Sequence, residues 1–319
     1  MTTPRKTKAF APASIGNVSL GFDLLGAALA PVEGEFLGDW VEVTDADNFD
    51  LTVDGRFAHK LPAGSENNIV TKCYHYFQEK LVNAGLAKLN VALHLHKALP
   101  IGSGLGSSAA SIVAAFYALN EHAHAPFDKD TLLEMMGELE GQISGSVHYD
   151  NVAPSYLGGL VLMTGESSPL AAKLPCFDSW YWVVCYSGIS VSTAEARRLL
   201  PSEYNLADTL SFGRQLGVFV HSLYAGDEEL AAKMMTDVIA ERHRKALLPR
   251  FDDARSAAFA NNALAFGISG SGPTVFAVSR SLEDARATQA WLDANYIQNE
   301  DGFSHVCKLS YEGTHTQTR

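Results

Sequence analysis

The sequence predicts an α+β fold in two domains, one spanning residues 1–165 and the other residues 166–319. A length of 319 residues suits two domains of ordinary size. Strand and helix patterns follow one another in mixed order rather than in strict alternation, which disfavours a doubly wound parallel sheet. Hydrophobic residues make up 47% of the chain and charged residues 19%, a balance typical of a folded globular protein.

The first half begins with short strands and one clear helix. Strands are predicted at Thr7–Ala13, Val41–Val43 and Asp50–Val53. The dipeptide Asp54-Gly55 after the third strand predicts a hairpin turn. Apolar residues recur at helical spacing from Ile69 to Leu81, after Asn67 and Asn68, either of which suits the N-cap, and before Gly85, which suits the end of the helix.

The next segment alternates cleanly between apolar and polar residues over Leu89–His96, which predicts a half-buried strand. Helices are predicted at Ala109–Asn120 and Asp130–Glu140, and a strand at Gly159–Thr164. The second half shows strand patterns at Trp180–Tyr186, Ala265–Ile268, Thr274–Ser279 and His305–Leu309, with helices between Thr193 and Asn261 and over Leu282–Asn295.

The net charge of −12 excludes several classes of partner. An acidic surface repels nucleic acid and anionic lipid, so any anion site has to be built locally from backbone amides and a few cations. We find no apolar run of membrane-spanning length and no apolar segment near the N-terminus, so a cytoplasmic protein is expected. The four cysteines lie far apart in sequence and predict reduced thiols.

A glycine-rich loop joins the strand ending at His96 to the helix that follows. It contains Gly102, Gly104 and Gly106 and leads into Ser107 and Ser108. Glycines let backbone N–H groups converge on an anion without obstruction by Cβ atoms. The first amides and the dipole of the following helix add partial positive charge. The pattern therefore predicts a phosphate-binding loop.

Three kinds of phosphate site use such loops, and a tight turn without a ligand is a fourth alternative. A Walker A loop requires a lysine after its last glycine, whereas Gly106 is followed by Ser107 and Ser108. A dinucleotide loop requires G-x-G-x-x-G, whereas the spacing here is G-x-G-x-G. Three alternating glycines and two serines favour a kinase loop that wraps a triphosphate, with a serine hydroxyl on Mg²⁺.

Three motifs of the chain resemble those of the GHMP kinases. They are PIGSGLGSSAA at Pro100–Ala110, APASIGNVSLGFDLLG at Ala11–Gly26 and GISGSGPTVFA at Gly267–Ala277. Their order and their spread along the chain make the resemblance specific. It implies ATP as co-substrate and a two-domain GHMP-kinase fold, with an N-terminal domain like domain 2 of ribosomal protein S5 and a C-terminal ferredoxin-like α/β sandwich. It also implies a homodimer.

Within that family the chain is most similar to the homoserine kinases. The similarity lies in Asn17 with Gly21-Phe22-Asp23, in GELEGQISGSVHYDNVAP (Gly137–Pro154), in VSTAEARRLLP (Val191–Pro201) and in Arg244-x-x-Leu-Leu-Pro. It implies transfer of a phosphoryl group from ATP to the hydroxyl of L-homoserine, which gives O-phospho-L-homoserine, a step in threonine biosynthesis from aspartate.

The resemblance also implies a role for each matching residue. Asn68 and Lys97 are expected near the nucleotide, and Ser108 and Glu140 on Mg²⁺. The triphosphate is expected against Pro100, Ile101, Gly102, Ser103, Gly104, Leu105, Gly106, Ser107, Ser108, Ala109 and Ala110. Homoserine is expected among Asn17, Asp23, His148, Asn151, Thr193, Arg197, Arg244 and Gly270. The implied catalytic set is Asn151, His148, Arg197, Ser108 and Glu140.

The residue chemistry also suits a zwitterionic acceptor, because Asp23 suits an ammonium while Arg197 and Arg244 suit a carboxylate. Each residue alone has a structural alternative. Asp23 can cap a turn, the two arginines can lie on solvated helix faces, and His148 can be a structural histidine. Glu140 at a helix end opposes the helix dipole, which a bound cation would explain.

No strong general base is predicted. Mevalonate kinase, a relative that this chain resembles, has an aspartate where Asn151 stands, and asparagine accepts no proton. We therefore expect the hydroxyl proton to leave to a phosphate oxygen or to water. Three alternative hypotheses for the function remain. The protein could be a GHMP kinase with another acceptor, an NAD-linked oxidoreductase with the same loop, or a non-catalytic amino-acid sensor. The Ser108, Glu140 and Lys97 set disfavours the sensor.

Overall fold

The structure is a computed structural model that describes residues 4–34, 36–144 and 148–317. Residues 145–147, within the Gly137–Pro154 stretch, lie outside the described part. The strands are β1 (Lys6–Pro12), β2 (Ser14–Gly16), β3 (Leu25–Pro31), β4 (Gly38–Asp45), β5 (Leu51–Asp54), β6 (Val91–His96), β7 (Leu160–Met163), β8 (Ala171–Leu174), β9 (Tyr181–Tyr186), β10 (Ala265–Ile268), β11 (Val275–Ser279), β12 (Phe303–Leu309) and β13 (His315–Thr316).

The helices complete the architecture. They are α1 (Ile69–Asn83), α2 (Ser107–His122), α3 (Lys129–Ser144), α4 (Val152–Leu157), α5 (Thr193–Arg198), α6 (Leu206–Ala225), α7 (Glu228–Met234), α8 (Glu241–Arg244), α9 (Phe251–Ala260) and α10 (Leu282–Asn295). None of the helices described is both long and apolar enough to cross a membrane. The four cysteines are free thiols, as predicted.

The first sheet has five strands in the order β13-β1-β4-β6-β5. Along β6, Val91, Leu93 and Leu95 are buried while the residues between them are only partly buried, which confirms the predicted alternation. Helix α2 packs on this sheet against β1 and β4, and α1 and α3 flank it. Because α2 is apolar on nearly every face, it forms the centre of the core. The glycine-rich loop leads directly into the first turn of this helix.

The second sheet follows the order β10-β11-β9-β12-β3-β7-β8, with β2 paired to β3. It therefore combines β2, β3 and β7 from the first half of the chain with five strands, β8 to β12, from the second half. The loop after β7 contains residue 165, where the sequence suggested a boundary, and the hydrogen-bonded sheet continues on both sides of that position. The turn between β10 and β11 is brought against the glycine-rich loop by this arrangement.

The predicted hairpin at Asp54-Gly55 is wrong. Strand β5 pairs with β6 in parallel rather than with a strand that follows directly. After Gly55 the chain instead enters a 3₁₀ turn at Ala58–Lys60, and Phe57 is fully buried. Gly55 has φ +102°, and a Cβ there would overlap with the backbone of Lys97. Glycine is needed at this position because the backbone closely approaches the entry of the loop, and not because a hairpin turn requires it.

Helix α1 begins and ends as predicted. The side chain of Asn68 accepts a hydrogen bond from the Val70 N–H at 2.9 Å, which is an N-cap interaction. At the other end Gly85 adopts φ +73°, and the N–H of Leu86 donates to the carbonyl of Leu81.

Candidate active site

One cavity of about 720 Å³ lies where the two sheets meet. Its wall is formed by the glycine-rich loop, the chain after β2, the end of α3, the start of α4, helix α5, helix α8 and the β10–β11 turn. Both halves of the chain contribute, so the cavity depends on their contact. It also has the size that a small-molecule ligand site requires.

The glycine-rich loop presents its backbone to this cavity in a single orientation. Gly102, Gly104 and Gly106 all have positive φ values, of 66°, 83° and 65°. The carbonyls of the five residues 101–105 each accept a hydrogen bond from elsewhere in the protein. Their donors are Ser190 Oγ (3.2 Å), Val191 N (3.0 Å), Thr274 N (3.0 Å), Ser269 Oγ (2.6 Å) and Ser14 N (3.2 Å), in that order.

Turning the carbonyls into the protein leaves the amides for a ligand. Among the described residues, the N–H groups of Gly102, Ser103 and Gly104 donate to no protein acceptor. The N-terminus of α2, a helix of 16 residues, begins immediately afterwards at Ser107. Amides from a loop of this conformation, added to a helix N-terminus, form an anion-binding site.

A hydroxyl and a carboxylate face each other next to that site. Ser108 Oγ donates to Glu140 Oε2 at 2.8 Å, which joins the first turn of α2 to α3. Burial raises the pKa of Glu140, against the opposing effects of Ser108 and Lys97. An ionised carboxylate is therefore costly there without a cation, and the two oxygens suit a hard divalent ion such as Mg²⁺.

Asn17 lies in a strained turn that also lines the cavity. The consecutive residues Asn17, Val18 and Ser19 have φ values of 69°, 46° and 61°, and Val18 is a β-branched residue for which this is rare. Asn17 Oδ1 accepts from the N–H of Asp23 at 2.9 Å, and its Nδ2 donates to the Gly270 carbonyl at 3.0 Å. The strained turn thus holds Asn17 between the two halves of the molecule.

Two arginines and an aspartate meet beside Asn17. Arg197 Nη2 lies 2.9 Å from both carboxylate oxygens of Asp23. Arg244 is 3% exposed, and it donates to the carbonyls of Ala196 at 3.2 Å and Gly270 at 3.1 Å. Both guanidinium groups lie over the ring of Phe22, at 5.4 and 5.2 Å from its centroid. Burial and the nearby Arg197 lower the pKa of Arg244.

His148 and Asn151 complete this charged end. His148 Nδ1 lies 3.6 Å from Asp23 Oδ2, and burial lowers the pKa of the imidazole. The Asn151 amide is held at both ends, because Ser14 Oγ donates to its Oδ1 at 3.0 Å while its Nδ2 lies 3.4 Å from Asp150 Oδ2. Thr193, at the start of α5, hydrogen-bonds with Ser271 at 3.3 Å.

The structure therefore brings most of the candidate residues to one cavity, but four of them do not line it. Asn68, Pro100, Leu105 and Ala110 are buried around it instead, with the Asn68 side chain used to cap α1. Lys97 reaches the cavity wall with a side chain that is 2% exposed.

Sequence reasoning missed three residues. Lys72 is an exposed cation on α1 that lines the cavity, and Asp39 is a fully buried partner of Lys97. Asp150 is 5% exposed and also lines the cavity. Burial and the nearby Asp23 raise the pKa of Asp150 to about 7. The available signal was its position directly before Asn151, because a carboxylate adjacent in sequence to a site residue lies in the same turn and is a candidate for the same site.

Comparison with known proteins identifies a phosphotransferase and supplies its family. The model of the GHMP kinases N terminal domain matches residues 68–159, and that of the GHMP kinases C terminal domain matches residues 219–298. The chain belongs to the GHMP kinase family and has its two-domain fold.

Solved structures show which members the chain is similar to. A homoserine kinase from Cytophaga hutchinsonii is 34% identical, with a TM-score of 0.86, over 98% of this chain and 97% of the other. A putative homoserine kinase from Listeria monocytogenes is 22% identical, with a TM-score of 0.71, over 98% and 100%. A mevalonate kinase from L. major, solved with R-mevalonate, is 14% identical, with a TM-score of 0.67, over 97% of each chain. The last two share the fold.

Replacing Gly104 by alanine tests the loop conformation. Gly104 has φ +83°, and a Cβ there would overlap with the carbonyl oxygen of Ser269, so the loop would have to move away from the β10–β11 turn. We expect Gly104→Ala to lower kcat/KM for the nucleotide by at least about 100-fold, as misplaced phosphate contacts do. Steady-state kinetics with the nucleotide varied measures this.

Gly85→Ala is the matched control for that substitution. Gly85 also has a positive φ, of 73°, but a Cβ there meets nothing within 4 Å. Both variants therefore carry backbone strain, and only Gly104→Ala adds the clash. Equal kinetic losses in the two variants would contradict the account.

Replacing Asp150 by asparagine tests the cost of its burial. Because its folded pKa is about 7 against an ordinary 3.8, wild-type protein loses stability as pH rises through this interval. We expect Asp150→Asn to melt at least about 2 °C above wild type at pH 8, and the difference to shrink toward pH 4. Thermal unfolding at both pH values measures it.

Asp47→Asn, at an exposed position on the first half of the chain, serves as the control and should change neither melting temperature. A melting difference for Asp150→Asn that is the same at pH 4 and pH 8 would show that ionisation of this carboxyl does not limit stability.

Proposed function

We propose that this protein transfers the γ-phosphoryl group of ATP to the hydroxyl of L-homoserine. The observation that carries the proposal is that a phosphate-binding loop and a compact set of opposite charges open on the same cavity. The loop suits a triphosphate, and the charges suit a small zwitterion. The 34% identity to a homoserine kinase over nearly the full chain supports the same acceptor.

ATP would bind with its phosphates against the amides of Gly102, Ser103 and Gly104 and the N-terminus of α2. These donors are preorganised by the hydrogen bonds of their carbonyls, so they need no rearrangement when charge grows on the leaving ADP. Ser108 and Glu140 would hold Mg²⁺, and their oxygen donor pair fits such an ion. When bound, the ion neutralises charge on the β- and γ-phosphates.

L-Homoserine would bind where Asp23 and Arg197 form an ion pair. The ammonium of homoserine would form an ion pair with the carboxylate of Asp23. The carboxylate of homoserine would form ion pairs with Arg244 and Arg197. The displaced ion pair is partly exposed, with side-chain exposures of 26% and 36%, so its loss costs little. Two of the five N–H groups of Arg244 donate to protein carbonyls, and the other three can donate to a carboxylate.

The acceptor hydroxyl would lie at Asn151, between the two ligand sites. The asparagine amide is not a base and is fixed at both ends, so it would orient the hydroxyl rather than accept its proton. The proton would leave to a phosphate oxygen or to water. In phosphoryl transfer most of the catalysis is positioning and charge stabilisation, which this arrangement supplies.

A panel of acceptors tests the proposal directly. ADP release should be measured with L-homoserine, L-serine, L-threonine and mevalonate, each with and without Mg²⁺. We expect L-homoserine to give the highest kcat/KM, and Mg²⁺ removal to abolish turnover. Faster turnover of mevalonate than of L-homoserine would contradict the assignment, because mevalonate lacks the ammonium that Asp23 is proposed to bind.

Replacing Arg244 by lysine tests the carboxylate contact. Lysine keeps the charge but cannot keep both carbonyl contacts and a two-point contact with a carboxylate. A lost charged hydrogen bond is worth about 1.5–3 kcal/mol, so kcat/KM for homoserine should fall roughly 10- to 150-fold. The KM for ATP should stay nearly constant.

Arg242→Lys on the same short helix is the control. Arg242 is half exposed and pairs with Asp208 at 2.7 Å at the surface, away from the cavity. It should leave kcat/KM for homoserine within about twofold of wild type. An Arg244→Lys enzyme with normal homoserine kinetics would exclude the proposed carboxylate site.

A further inference from the structure

We propose that Asp39 and Lys97 form a buried pair that positions the phosphate loop, so that Lys97 acts on the nucleotide through the loop and not by contact. The family resemblance had implied a lysine close to the nucleotide. The contacts of Lys97 point to a different role, and they give a role to Asp39, which the sequence patterns did not single out. That the loop binds ATP rests on the proposed function.

All three N–H donors of Lys97 are used inside the protein. Its Nζ forms an ion pair with Asp39, and it donates to the Ser107 carbonyl at 2.9 Å and to Ser111 Oγ at 2.9 Å. An ammonium has three donors and no acceptor. A contact with phosphate would therefore require Lys97 to give up a buried partner, which leaves a polar group unsatisfied.

Asp39 holds the entry to the loop from the other side. Its Oδ1 accepts from the N–H groups of Ala98 at 2.9 Å and Leu99 at 3.0 Å, which directly precede the loop. Its Oδ2 accepts from Ser111 Oγ at 2.7 Å in addition to Lys97. A carboxylate with four charge-assisted hydrogen bonds is firmly fixed.

The two side chains therefore tie both ends of the loop to one point. Leu99 marks the entry and Ser107 marks the exit, and a further bond from Ser107 Oγ to the Leu99 carbonyl at 3.1 Å joins them directly. The distance between the ends sets how far the amides of Gly102–Gly104 reach into the cavity. A shift of about 1 Å there is enough to misalign a phosphate.

Burial makes the pair act as a unit. Lys97 is 2% exposed and Asp39 is fully buried, so each charge is stable only beside the other. Burial lowers the pKa of Lys97, and Asp39 opposes this effect. Removing one partner leaves the other charge buried without a counter-ion. Removing both partners avoids that cost but also removes the anchors of the loop.

The test is direct binding of Mg·ATP by calorimetry, without an acceptor, well below the melting temperature of each variant. The variants are Asp39→Leu, Lys97→Met and the double variant. We expect each single variant to raise the Kd for Mg·ATP by at least about tenfold. The double variant should be no weaker than the weaker single variant, since the two residues act together.

A lysine that touched phosphate would behave differently. Lys97→Met would then lose affinity while Asp39→Leu, whose side chain is fully buried, would retain it, or the two losses would add in the double variant. Either result overturns the inference. A purely structural pair would lower the melting temperature and leave the Kd of the folded protein unchanged, which also overturns it.

Asp45→Asn is the matched control. Asp45 lies on the same strand, β4, and pairs through Oδ1 with His122 Nε2 at 3.0 Å, at the far end of the same helix, α2. It joins the same two elements as Asp39 but without contact to the loop. Its variant should bind Mg·ATP within about twofold of wild type.

A second measurement on wild-type protein keeps the inference testable even where a single variant fails to fold. Amine-reactive labelling followed by mass spectrometry should modify exposed Lys72 and leave Lys97 unmodified, with or without nucleotide. Labelling of Lys97 that ATP prevents would show a free, nucleotide-contacting amine and would overturn the inference. Because neither measurement uses an acceptor, both remain valid if homoserine proves to be the wrong substrate.

Discussion

The orientation of five consecutive loop carbonyls is the constraint on which the site depends. The carbonyls of residues 101–105 accept hydrogen bonds from the protein, and most of the donors belong to the second half of the chain. A backbone turned in this way exposes its amides on the other face, and only glycine permits the required φ angles without a clash. The proposed phosphate site is therefore a product of contact between the two sheets.

The same contact also builds the charged end of the cavity. Gly270, on the β10–β11 turn, accepts hydrogen bonds from Asn17 and from Arg244. The strained turn at Asn17 comes from the first half of the chain and Arg244 from the second. One short turn thus fixes both the loop and the residues beside it, and a displacement of that turn would disturb the two ligand sites together.

The charges of the site resolve an apparent conflict with the acidic chain. A protein of net charge −12 repels anions over long distances, so any phosphate site in it has to rely on local donors. In the proposed site the loop amides and the helix N-terminus would supply them, while Lys97 is held by Asp39. Acidic Asp23, Glu140 and Asp150 share the cavity, which suits ligands that bring their own cations.

Local sequence patterns predicted many of the helices and strands. Features that depend on contacts between distant residues were not predicted. The alternation over Leu89–His96, the N-cap at Asn68 and the glycine loop carry signals within a few residues. Strand β3, LGAALAP, was not predicted, because alanine and glycine have low strand propensity. Those small residues are needed for close packing, since a Cβ at Gly26 would overlap with the carbonyl of Asp150.

The pairing of side chains was equally hidden from the sequence. Asp23 and Arg197 are 174 positions apart, and the sequence predicted that both bind the ligand but not that they bind each other. Asp39 gave no signal because a single aspartate before a strand residue is common at a surface. Its burial follows from the position of Lys97 beneath the loop, which only the three-dimensional fold determines.

A crystal structure with Mg²⁺, a non-hydrolysable ATP analogue and L-homoserine would test the central claim most directly. The account predicts the γ-phosphate against the amides of Gly102–Gly104 and the amino-acid carboxylate on Arg244, with the hydroxyl facing the γ-phosphorus. Phosphates bound away from that loop, or homoserine bound with its carboxylate far from Arg244, would contradict the account.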